Sequence, residues 1–218
     1  MKNKMKVIFA SLLFSCAFVL SGCSSAYYAA MEKVGVHKRD ILIDRVEEAR
    51  DAQLHSQQEF KDALDQLSQL VNFHGGSLQQ RYEALASQYQ DSQQAAAEVT
   101  ERINKVELVA FDLFAEWENE LSQYQNKQLR NDSKKKLLDT KRQFNALLKV
   151  MRRAESKMPP VLRVLNDNVL YLKHNLNAKA IGALETEFGL LQQDVQTLLT
   201  DMNRAIAESN QFIAVMQQ

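Results

Sequence analysis

Cysteine, proline and glycine are scarce in this 218-residue chain: two, two and six in all. Each scarcity excludes something. The cysteines are Cys16 and Cys23, so everything beyond residue 23 lacks a disulfide framework and a thiolate metal site. The prolines are adjacent, at Pro159-Pro160, and with so few glycines the chain has almost no helix breakers. Abundant Ala, Leu, Gln, Glu and Lys between them predict an all-α protein with long helices. Neither sign of charge dominates, at 27 basic against 27 acidic residues, which argues against a nucleic-acid binder and its basic surplus. The apolar run over residues 7–20 holds 14 residues, short of the ~20 that a transmembrane helix needs.

That run is what organises the N-terminus. Lys2, Lys4 and Lys6 precede it, and Leu20-Ser21-Gly22-Cys23 follows it, in the order of a secretory signal ending in a lipobox. Small residues at Ser21 and Gly22 let a peptidase close on the bond before Cys23, whose thiol takes the diacylglycerol. An acylated N-terminus adds a further chain such as palmitate, and stable anchoring needs more than one. Residues 1–22 are thus read as a lipoprotein signal peptide and 23–39 as a lipidated N-terminus with a short tether. Residues 40–218 are read as a single helical-bundle domain. Loss of the signal removes three lysines and no acid, leaving 24 basic against 27 acidic residues. Ser24, rather than Asp, follows the cysteine, so the expected address is the outer membrane, facing the periplasm. Tyr27 and Tyr28 suit the headgroup level. Lys33, His37, Lys38 and Arg39 form a basic segment that either contacts anionic lipid headgroups or is a solvated helix face.

Four long helices are expected. The first spans about 40–71, with its best stripe at Phe60, Ala63, Leu64, Leu67, Leu70 and Val71 and a middle thin in apolar residues. Gly75-Gly76 ends it, and Ser77 with Gln80 resembles a capping box for the next. So short a connection makes the two helices antiparallel neighbours. The second carries a heptad seam at 78, 82, 85, 89, 92, 96, 99, 103, 106, 110, 113 and 117, polar only at Ser92. Leu108, Phe111 and Phe114 widen that stripe near Trp117, and further helices are expected to cover this end. A third helix, capped by Asn131, Asp132 or Ser133, shows Leu137, Lys141, Phe144, Leu148, Met151, Glu155 and Met158 at heptad spacing. Lys134-Lys135-Lys136 reads as its solvated first turn. Pro159-Pro160 makes a kink or a loop before Val161, Leu165, Val169 and Leu172. Asn177 caps a last helix, whose seam at 181, 184, 188, 191, 195, 198, 202, 205, 209, 212 and 216 is polar only at Ser209. The whole is an elongated antiparallel bundle or coiled coil. Pairing of the seams within one chain, with Ile103 and Leu198 in one core, is preferred to a homo-oligomer.

Several segments together are similar to one family. They are Met31-Glu32-Lys33-Val34-Gly35-Val36-His37-Lys38-Arg39-Asp40-Ile41-Leu42, Gly75-Gly76, Glu116-Trp117-Glu118, Met158-Pro159-Pro160-Val161-Leu162 and Leu172-Lys173-His174-Asn175-Leu176-Asn177-Ala178. In these the chain resembles the DUF2959 family of bacterial, lipoprotein-like proteins. The resemblance implies a helical protein and brings no reaction or catalytic residue with it.

A search for chemistry returns little. His37, His55, His74 and His174 lie in separate segments, and none forms an H-E-x-x-H or Glu-x-x-His pair. No nucleophile elbow is present, and Gly75-Gly76 lacks the Lys-Ser/Thr of a phosphate loop. No cofactor, metal or catalytic residue is therefore expected. The expectation is a non-enzymatic, lipid-anchored envelope protein that scaffolds or regulates an unidentified protein partner, without nucleic acid. Leu108, Phe111, Phe114 and Trp117 are the candidate partner or ligand surface. The alternative is a lipid- or small-ligand-binding bundle with its cavity near Phe114 and Trp117.

Overall fold

Four long helices account for nearly all of the described chain: α1 (Lys38–Val71), α2 (Leu78–Leu121), α3 (Lys127–His174) and α4 (Ala178–Met216). The structure, a computed structural model, describes residues 31, 35–73 and 75–217, with 178 and 186 by their backbone alone. The signal peptide, Cys23, the two tyrosines of the tether, Lys33 and His74 lie outside the described residues. The chain divides into two compact units, Met1–Ile41 and Leu42–Gln218, and the bundle belongs to the second.

Each helix starts where a side chain can take up free backbone donors. Ser77 accepts from the Gln80 amide at 3.3 Å, as its spacing predicts, and Asn177 from the Ala180 amide at 3.1 Å. Gly75 and Gly76 take φ of 144° and 102° to reverse the chain between α1 and α2, a backbone that L side chains rarely adopt. His37 accepts from the Asp40 amide at 2.9 Å, while its own amide donates to the Asp40 carboxylate at 3.3 Å, so α1 begins two residues earlier than expected.

Neighbouring helices run antiparallel. Glu48 pairs with Arg102 at 2.9 Å and Ser92 donates to the Glu59 carbonyl at 3.1 Å, joining α1 to α2. Arg152 reaches Asn104 at 2.7 Å and also pairs with Glu107, joining α2 to α3. Arg153 meets Asp201 at 3.0 Å between α3 and α4. Arg50–Asn210 at 3.2 Å and Gln57–Asn203 at 2.9 Å bring α4 back against α1. The result is an all-α bundle. Its core is built from the seams of α2 and α4, with Ile103 and Leu198 both fully buried within one chain. Ser92 and Ser209 are buried there too, each donating to the carbonyl four residues earlier.

Two expectations about α3 need correction. Its cap is Asn126, which accepts from the Gln128 and Leu129 amides at 2.9 and 3.2 Å, not Asn131, Asp132 or Ser133. Lys134-Lys135-Lys136 therefore lies in its second and third turns. Of the two alternatives for Pro159-Pro160 the loop is excluded, because both prolines lie inside the helix. Both prolines face solvent, where water can serve the Glu155 and Ser156 carbonyls that lose helical partners. The buried seam is Leu137, Phe144, Leu147, Met151, Ala154, Met158, Val161, Leu165, Asn168 and Leu172, so Leu147 and Ala154 take the places expected of Leu148 and Glu155.

Candidate functional site

The four residues of the expected partner surface part company. Phe114 is buried, and its ring meets Phe144 edge-on at 5.5 Å between centroids. Phe144 in turn meets Phe212 at 6.0 Å, so α2, α3 and α4 are joined by three rings in contact. Trp117 is half-buried, and its indole N–H donates to Ser133 Oγ at 2.8 Å. Lys141 lies 5.5 Å from the Phe114 centroid and pairs with Glu118 at 2.6 Å, closing the aromatic cluster towards solvent. Phe114 and Trp117 are therefore packing residues, and touching rings leave no gap between Phe114 and Phe144 for a ligand.

Leu108 and Phe111 are the opposite case, 56% and 71% exposed. The expectation that further helices cover this end holds for Phe114 and fails for these two. The buried side of α2 carries Val106, Val109, Ala110 and Leu113, and on nearly the opposite side of the helix Leu108 and Phe111 point outward. Helical spacing puts them on one face, three residues apart.

The basic N-terminal segment is less free than its sequence implies. Arg39 lies 3.9 Å from Asp40, and His37 is engaged in the α1 cap. Lys38 has an interaction of its own. The remaining charges between helices are structural. The Arg102 guanidinium is held above its ordinary value by its hydrogen bond to Glu98, with Glu48 adding to it against partial desolvation. For Arg152, burial opposes the charge, but the Glu107 and Glu155 carboxylates outweigh it.

Among the described residues no group of His, Cys, Asp and Glu is placed to hold a metal ion, and no helix is long and apolar enough to cross a membrane. One feature escaped the sequence reading. Gln53 and Ser56 are fully buried in the α1 seam, and their side chains have no hydrogen-bond partner among the described residues. Extending the α1 stripe backwards at heptad spacing, through 60, 56, 53, 49, 46 and 42, would have found them.

No curated protein and no solved structure matches the chain. The family described as "Protein of unknown function (DUF2959)" matches residues 27–216, nearly the whole length, and the chain belongs to that family.

Proposed function

We propose that this chain is a non-enzymatic, lipid-anchored protein of the cell envelope whose bundle presents a docking strip to a protein partner. The observation that carries it is the pair Leu108 and Phe111, exposed on a helix whose other side is fully packed. An outward phenylalanine costs solubility and adds nothing to the core, and large exposed apolar side chains that sit together mark interaction surfaces. The anchor rests on the ordering of the Lys2–Lys6 charges, the apolar run and Cys23.

A photo-crosslinking residue at position 111 in intact cells should capture one discrete partner. Leu108→Asp should remove that adduct while leaving stability within about 0.5 kcal/mol, as a surface change does. Adducts with lipid alone, or none, would overturn the docking strip. For the anchor, a palmitate analogue fed to cells should label the protein, and Cys23→Ala should abolish the label. Labelled protein should fractionate with the outer membrane.

A second reading, a lipid- or small-ligand-binding bundle, is favoured by one other feature. Ala96, Ala97, Met158, Pro159 and Leu162 line a shallow, mostly apolar groove of about 450 Å³ between α2 and α3. Lipid co-purifying with the wild type and lost in Ala97→Glu would support it.

A further inference from the structure

The α2–α3 hairpin extends past the point where the chain joins the bundle. Glu48 and Arg102 are level, since they pair at 2.9 Å. From there α1 runs back six residues to Leu42, the first residue of the bundle unit, and four more to its start at Lys38, whereas α2 continues to Leu121. At ~1.5 Å per residue the hairpin overhangs Leu42 by about 20 Å. Nothing in residues 122–132 is buried, and Tyr124 and Leu129 are 38% and 55% exposed.

Charge distinguishes this tip from the other end. Residues 119–136 hold Lys127, Arg130, Lys134, Lys135 and Lys136 against Glu120 and Asp132. The opposite end, residues 66–84 with 170–187, is balanced: Arg81, Lys173 and Lys179 against Glu83, Glu185 and Glu187. The acids beside the tip are already engaged, Glu118 by Lys141 and Asp139 by Arg142, and Glu116 also has a partner. An exposed Tyr and Leu among unspent lysines is the chemistry of a surface that meets anionic lipid headgroups.

We propose that the tip of the α2–α3 hairpin is a second membrane contact, in which Lys127, Arg130 and Lys134-Lys135-Lys136 meet anionic headgroups while Tyr124 and Leu129 reach the interface. The proposal rests on the lipid anchor at Cys23. Leu42, the first residue of the bundle unit, lies at the tip's own end of that unit, and Cys23 stands 19 residues before it in the sequence. The contact would orient the bundle on the membrane, with the neutral end directed away.

The test uses the full acylated chain, purified in detergent and reconstituted, with an environment-sensitive dye on Tyr124→Cys or, at the far end, on Gln79→Cys. In vesicles of phosphatidylcholine with phosphatidylglycerol, the dye at 124 should shift to the blue and be quenched by lipid-borne quencher, and the dye at 79 should not. Each lysine adds about fivefold to partitioning on an anionic surface. High salt, phosphatidylcholine alone, or the triple variant Lys134→Glu, Lys135→Glu, Lys136→Glu should therefore return the dye to water. These lysines are exposed, and an unchanged circular dichroism spectrum confirms the fold. A wet dye at 124 in protein that floats with anionic vesicles overturns the contact and spares the anchor. A shift that survives charge reversal overturns the headgroup chemistry. Protein that does not float, and takes dye at Cys23, overturns the anchor and the contact with it.

Discussion

Leu198→Ala should lower stability by about 2–5 kcal/mol, and Ile103→Ala by a similar amount, with no dependence on protein concentration. Both residues have no exposed surface, one on α4 and one on α2, in the two most regular seams of the bundle. Truncation removes the transfer energy of three methyl or methylene groups and leaves a cavity that long, close-packed helices cannot easily collapse into. In a domain of this size each kcal/mol moves Tm by about 2–4 °C, so thermal melts at several concentrations read the result directly. Midpoints that rise with concentration would mean that the seams are completed by a second copy.

Legibility in the sequence followed burial. The α2 and α4 seams supply most of the core, so their apolar positions repeat with a single polar break each, at Ser92 and Ser209, and most of them are buried as expected, with Leu78, Tyr82, Tyr89, Trp117 and Phe188 half-buried. Ser77 and Asn177 worked for the same reason: a cap needs a particular side chain, and both used it. The start of α3 failed because residues 122–132 are all exposed, with no described residue burying them. A helix that buries nothing has no reason to alternate apolar and polar residues, so Lys127 to Ser133 reads like a loop although it is helical. At Pro159-Pro160 the loop alternative fails for the opposite reason. A proline breaks a helix when the backbone groups it orphans are buried, and here both face water, while Met158 and Val161 keep the seam in phase.

The surface residues divided on a finer point. Leu108, Phe111, Phe114 and Trp117 are all large and apolar or aromatic within ten residues, and composition alone cannot separate them. Position around the helix can: 110, 113 and 117 belong to the seam, 114 stands beside it towards α3, and 108 and 111 stand on the far side. The seam was visible, but the side from which α3 would approach was not, because it is defined by contacts distant in sequence, from Ser133, Lys141, Phe144 and Arg152.

Replacing the polar pair in the α1 seam should stabilise the protein. Gln53 and Ser56 are fully buried, and Gln53 Oε1 and Nε2 and Ser56 Oγ have no partner among the described residues. A buried polar group without a hydrogen bond costs about 1–3 kcal/mol, whereas an apolar side chain of similar shape has no such cost. Gln53→Leu and Ser56→Ala should therefore each raise stability by about 1–3 kcal/mol, read from chemical denaturation at constant m. Gln57 is the internal contrast, since its amide donates to Asn203 at 2.9 Å and to the Leu199 carbonyl at 3.5 Å, linking α1 to α4. Gln57→Leu leaves those acceptors unserved and should lower stability by about 1 kcal/mol. Polar residues in a heptad seam cost stability and in return fix the register of the helices. The stabilised double variant should accordingly keep its helical content while α1 loses its single alignment, broadening the amide resonances of residues 49–60. A double variant that instead melts earlier would mean that ordered water satisfies Gln53 and Ser56, making them a working part of the core.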